Sequence, residues 1–248
     1  MPTAIDHVII LAEDLDTAMQ QYTDLGFTVI PGGKHARFTH NALVTFQDGS
    51  YLELIAFYEA PDASKNEGHR WFKHVGKGGG LIDFAVGTPD VTAVVKETTE
   101  RGLHYDGPHP GQRARPDGEQ LRWQSAMVGG TDSTALPFVI EDITDRGLRV
   151  PADGSTHANG VRGIAKLVVA AEDLDAAVRD FQALLGVDAP DTQADGSATF
   201  SVGPHTVEVV AATTGSGAGP IELQLIADEA KSIDPASASN ANLTFVTT

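Results

Sequence analysis

The sequence predicts an α+β fold made of repeated β-α-β-β-β modules, and three observations carry the prediction. Residues 4–19 read as a strand, a short turn and the start of a helix. Ile5, Val8, Ile9, Ile10 and Leu11 form a short apolar run of β-formers, interrupted by His7, and Asp14 stands where it can cap a helix beginning at Leu15. The pentapeptide Ala12-Glu13-Asp14-Leu15-Asp16 recurs as Ala171-Glu172-Asp173-Leu174-Asp175, again after an apolar run. A chain that repeats its opening design is built from modules. A third version, Leu81 to Gly87 followed by Asp90, lies between the two.

The first module covers residues 1–58. Its opening strand spans about 4–11 and its helix about 15–25, where Leu15, Ala18, Met19, Tyr22 and Leu25 recur at helical spacing and Gly26 supplies a stop. Strands follow at 27–30, 41–46 and 51–57, with Asp48-Gly49 as a hairpin turn. Residues 59–79 form a polar connector with a short helix over 67–74, whose His69 and His74 lie on a surface face. The second module, 80–142, has a strand at 81–87 and a helix at 89–101 with an early proline. After a polar stretch at 107–118 come strands at about 120–128 and 136–141, separated by the turn 129–132. Together these two modules make one domain over 1–145.

Residues 146–160, with Pro151, Asp153-Gly154-Ser155 and Asn159-Gly160, read as a linker. The third module, 161–248, has a helix at 174–185, strands at 198–202, 206–211, 221–226 and 242–246, and a loop at 215–219. No second helix precedes its last strand, so a complete fourth unit is absent.

Composition bounds the function. The 248 residues hold 17 Lys and Arg against 34 Asp and Glu, a net charge of -17. Nucleic acid and anionic membranes are poor partners for such a surface. With no cysteine, disulfides and thiolate chemistry are excluded, so any metal must be held by His, Asp or Glu. No apolar run reaches the roughly 18–20 residues of a membrane span, and no signal peptide is visible, which makes a cytoplasmic location the expectation. Gly78-Gly79-Gly80 precedes a strand rather than a helix and is not a phosphate-binding loop.

The ordered set Ile5-Asp6-His7-Val8-Ile9, His40-Asn41-Ala42-Leu43, Asp48-Gly49-Ser50-Tyr51-Leu52-Glu53-Leu54-Ile55, Gly80-Leu81-Ile82-Asp83-Phe84-Ala85, Arg115-Pro116-Asp117-Gly118 with Trp123, and Leu136-Pro137-Phe138 resembles the vicinal oxygen chelate superfamily, in its glyoxalase-like branch. The resemblance covers residues 1–142 well and the third module more loosely. It implies that two modules pair into a cup-shaped half-open sheet. It also implies a divalent metal (Fe, Mn, Ni, Co or Zn) inside, held by one residue from the first and one from the last strand of each module. His7 and Glu53 match the first two positions, and their chemistry suits such a metal. The third falls on Asp83 if the helix starts are aligned, or on Phe84 if Asp6 is aligned with Asp83. The fourth falls on Phe138, with Glu141 nearby. The implied set is therefore a triad of His7, Glu53 and Asp83. In the third module Lys166 stands at the His7 position and Glu208 at the Glu53 position, which reads as a salt bridge in a degenerate copy.

Glu53 between Leu52 and Leu54 faces a wet cup or pairs with a cation, because a buried ionised carboxylate without a partner is costly. Glu53 and His40 are the candidate acid-base groups. Arg113, Arg115 and Arg122 gather positive charge in an acidic protein, and with Trp123 they are candidate substrate contacts, since an Arg fork suits a carboxylate or phosphate. Three functions remain open: a metal-dependent lyase, isomerase or dioxygenase acting on a small oxygen-bearing substrate, a metal-free small-molecule binding protein, and a structural or interaction protein with a vestigial cup. Pairing of modules between chains would make a homodimer.

Overall fold

The computed structural model describes residues 1–35, 38–58, 69–115, 117–130, 135–214 and 217–247. The start of the connector helix expected from 67, part of the 129–132 turn, Pro116 and part of the 215–219 loop fall outside these residues. The first module comprises β1 (Ala4–Leu11), α1 (Leu15–Asp24), β2 (Ile30–His35), β3 (Thr39–Thr45) and β4 (Tyr51–Phe57). The second comprises β5 (Gly80–Gly87), α2 (Val91–Thr99), β6 (Tyr105–Ala114), β7 (Gln120–Val128) and β8 (Phe138–Asp142). Asp14 and Asp90 accept hydrogen bonds from the backbone of Thr17 and Ala93, so both helices start at the expected caps.

The eight strands close into a barrel in the order β1-β4-β3-β2-β6-β7-β8-β5. Within each module the first and fourth strands run parallel, and the modules meet along antiparallel β1–β5 and β2–β6 seams. Side chains alternate across this sheet. Val8, Ile10, Ala42, Val44, Leu52, Leu54 and Phe84 pack outward with the helices. Ile9, Leu11, Ile55, Ala85, Phe138 and Ile140 pack inside the barrel.

Two stretches differ from the sequence reading. The polar segment from 107 is largely strand β6, because Pro110 and Gly111 look like turns locally but are held by the β7 ladder, while Gly107 and Pro108 form an irregularity within it. The linker is ordered. Its helix α3 (Arg146–Arg149) packs against the barrel, and Arg149 is buried.

The third module contributes β9 (Gly163–Ala171), α4 (Leu174–Leu185), β10 (Asp191–Thr192), β11 (Ala198–Val202) and β12 (His205–Ala211). They are followed by β13 (Gly219–Ile226), β14 (Lys231–Ser232) and β15 (Leu243–Val246). β13 runs antiparallel to β9 and parallel to β15, as β5 does to β1 and β8, so a helixless half-module completes a seven-stranded sheet. His205 docks this sheet on the barrel, accepting from Ile5 N at 3.0 Å while its other nitrogen meets Asp48 at 3.2 Å.

Candidate active site

A cavity of about 260 Å³ opens inside the barrel. Alternation explains who lines it. On β1 and β4 the inward residues include His7, Tyr51 and Glu53. On β3 they are Thr39 and Asn41, which turns His40 outward against Tyr58. On β6 and β7 they are Gly111, Arg113, Trp123, Ser125 and Met127, which turns Arg122 to solvent.

Glu53 is the centre of the polar group. Asn41 Nδ2 donates to its Oε1 at 2.5 Å, His7 Nε2 lies 3.6 Å from Oε2, and His35 Nε2 lies 3.8 Å from Oε1. The His7 ring is fixed from behind. Its Nδ1 is 2.7 Å from Asp6 Oδ1, and Tyr51 stacks on its face at 4.6 Å. Sequence neighbours on a strand normally point apart. Here the β1–β5 register slips between Ile5 and His7, so Asp6 is the extra residue of a bulge and its side chain can reach His7. Burial alone would raise the Asp6 pKa, but the Arg149 charge and hydrogen bonds from His7 and Arg149 hold it well below the usual carboxylate range. Asp6 is therefore ionised and accepts the Nδ1 proton, which leaves Nε2 facing Glu53. Burial also depresses the His35 pKa, against the raising influence of Glu53, so His35 is neutral at neutral pH.

Arg149 spends all five of its N–H groups on Asp6, Asp142 and the Tyr51 hydroxyl, at 2.5–3.0 Å. Arg113 is its opposite. It is also 4% exposed, lines the cavity and, among the described residues, makes no side-chain hydrogen bond or ion pair. Burial lowers its pKa, and Glu53 is the main opposing influence. Gly111 gives Trp123 its place: a Cβ there would stand 2.1 Å from the indole nitrogen.

The remaining expected residues are placed elsewhere. Asp83 sits on the inward face, with Phe84 outward, but it is fully engaged. Arg70 Nε donates to it at 2.5 Å, Arg70 Nη2 at 3.1 Å and Trp71 Nε1 at 2.8 Å. An aspartate so neutralised is not a metal ligand, which corrects the expected triad. Phe138 fills the fourth position and Glu141 is occupied, accepting from Val91 N at the start of α2 and from Gln124. His40 lies outside the cavity. Arg115 also lies outside it, bonded to Leu148 O and Asp117. The metal donor set implied by the resemblance thus does not fit: two of its members meet. Among the described residues no group of three or more His, Asp or Glu is placed to hold a metal ion. The sequence reading missed His35, Asn41, Asp6 and Arg149. In the third module Lys166 Nζ meets Glu208 Oε2 at 2.8 Å, so the matching positions there form a closed ion pair.

This barrel and its cavity define a class. The Glyoxalase-like domain family matches residues 5–185, well over half the chain, and the chain belongs to that family. Its structure is similar to that of a hypothetical protein from Staphylococcus aureus, with TM-score 0.80 and 14% identity over 98% of this chain and 99% of that one. It is also similar to a variant of 4-hydroxymandelate synthase from Streptomyces coelicolor (TM-score 0.58, 14% identity, 92% and 72% covered). A third similar structure is a Mn(II)-bound glyoxalase from Novosphingobium aromaticivorans (TM-score 0.56, 14% identity), covering 91% of this chain and 65% of that one. At these identities the likeness is one of fold. No curated protein matches the sequence.

Proposed function

We propose that this glyoxalase-like protein is an enzyme of the isomerase or lyase type that moves a proton on a small oxygen-bearing substrate inside the barrel. The observation that supports this is the placement of Glu53: a buried carboxylate at the cavity wall, flanked by two imidazoles, with no Lys or Arg ion-paired to it among the described residues. Glu53 takes a proton from the carbon beside a carbonyl. Asn41 orients the carboxylate, and His7 Nε2, aimed by Asp6, relays the proton to or from it.

Deuterium uptake tests the reading. Small 2-oxo and 2-hydroxy acids are incubated with the protein in D2O and followed by proton NMR. Exchange at carbon should fall by about 10²–10⁴-fold in Glu53→Gln, as expected for loss of a general base. Exchange that persists unchanged in that variant refutes the assignment. A second reading, binding without turnover, is favoured by the incomplete metal donor set beside a preformed cavity. It requires ligand stabilisation with no deuterium uptake in any variant.

A further inference from the structure

Arg113 poses a question that the proton-transfer reading leaves unanswered. A guanidinium carries five N–H donors and stays charged in proteins, and burying it without partners is unfavourable by several kcal/mol. Arg149, equally buried in the same barrel, has every donor satisfied. Among the described residues Arg113 has none satisfied, and its side chain borders the cavity. Ser125, on the neighbouring strand and also lining the cavity, makes no hydrogen bond through its hydroxyl among the same residues. The chain therefore leaves one planar cation and one hydroxyl open toward the space in front of Glu53.

We propose that the substrate is a carboxylate monoanion with a compact apolar body, its carboxylate held by Arg113 with help from Ser125. Four observations narrow the class. The planar fork of Arg113 matches a carboxylate in bidentate fashion. A dianion such as a phosphate monoester would leave one charge uncompensated beside Glu53, in a protein of net charge -17. Trp71, Trp123, Met127, Phe138 and Ile140 give the wall an apolar part. The space of about 260 Å³ accommodates a single ring or branched chain. This inference rests on the cavity being the substrate site, and it adds the substrate's charge and shape to that reading.

Calorimetry with matched probes separates charge from shape. Phenylacetate and 3-methylbutanoate are titrated into the full chain beside their neutral amides and beside acetate. The carboxylates with apolar bodies should bind at least tenfold more tightly than their amides and than acetate. Arg113→Gln should lose that preference, and Arg113→Lys should retain part of it. Equal binding of acid and amide, binding unaffected by Arg113→Gln, or no binding of either acid overturns the proposal. Acid-selective binding without deuterium uptake leaves this inference standing and removes the proton-transfer reading instead.

Discussion

Two buried arginines of the same barrel should respond to the same substitution with opposite sign. Arg113 and Arg149 are each 4% exposed, so burial does not distinguish them. Arg149→Met takes from Asp6 and Asp142 the buried one of their two arginine partners and leaves them the more exposed Arg146, and removing one member of a buried ion pair typically loses up to about 3–5 kcal/mol. In a chain of this size about 1 kcal/mol shifts Tm by roughly 2–4 °C, which gives a fall of about 6–20 °C. Arg113→Met removes a charge with no hydrogen-bonded partner among the described residues and fills the same volume with apolar atoms. Glu53 loses a distant attraction, so the net gain is smaller, about 1–2 kcal/mol, or a rise of about 2–8 °C. Differential scanning calorimetry on ligand-free protein reads both. If Arg113→Met lowers Tm as Arg149→Met does, Arg113 has partners, and its reading as an open ligand cation fails.

Four further outcomes follow from the same contacts. The folded-state pKa of Asp6 is depressed, so its contribution to stability is complete above the ordinary carboxylate value of 3.8 and is lost as pH falls through the lower folded value. Acid unfolding of Arg149→Met should therefore begin at higher pH than in the parent, as followed by circular dichroism. His35 and His157 have folded values depressed by burial below 6.5, so stability should also decline as pH falls from about 6.5 toward those values, and a Tm that is flat between pH 7 and 5 contradicts this. Gly111→Ala should displace the Trp123 indole and change tryptophan fluorescence and ligand binding together, while an unaltered spectrum would show that the wall yields elsewhere. Protein purified without an affinity tag should take up no stoichiometric Mn(II). Uptake that disappears in His7→Ala and in Glu53→Ala would show that the donor set is complete after all.

The faces of the strands were legible in the sequence because alternation has a period of two. His7, Glu53, Arg113 and Trp123 reach the cavity as the residue pattern and the resemblance implied, and the helix caps at Asp14, Asp90 and Asp173 stand where they were expected. What was not legible depended on contacts between distant residues. The β3 register decides between His40 and Asn41, and it sends the histidine outward. Asp83 looked like a ligand until Arg70, from the connector, proved to be its partner. The bulge at Asp6 has no local signature, and the cation that holds Asp6 lies 143 residues further along the chain. Strand β6 was hidden by glycines and prolines whose meaning changes once a neighbouring strand supplies the ladder.

The short helix of Arg146 and Arg149 also bears on where this protein can be cut. By compactness the barrel ends near residue 142, and a boundary at 145 looks natural. Yet the charge that keeps Asp6 ionised, and so keeps the His7 ring in its orientation, is supplied from beyond that point. His157, further on, accepts the Thr28 backbone N–H at 3.0 Å and lies 3.0 Å from Thr45 O. The smallest piece able to hold His7 in register therefore runs past the last strand of the barrel into the segment that joins it to the third module. An excised barrel ending at 145 would keep every cavity-lining strand and lose the anchor behind its first histidine.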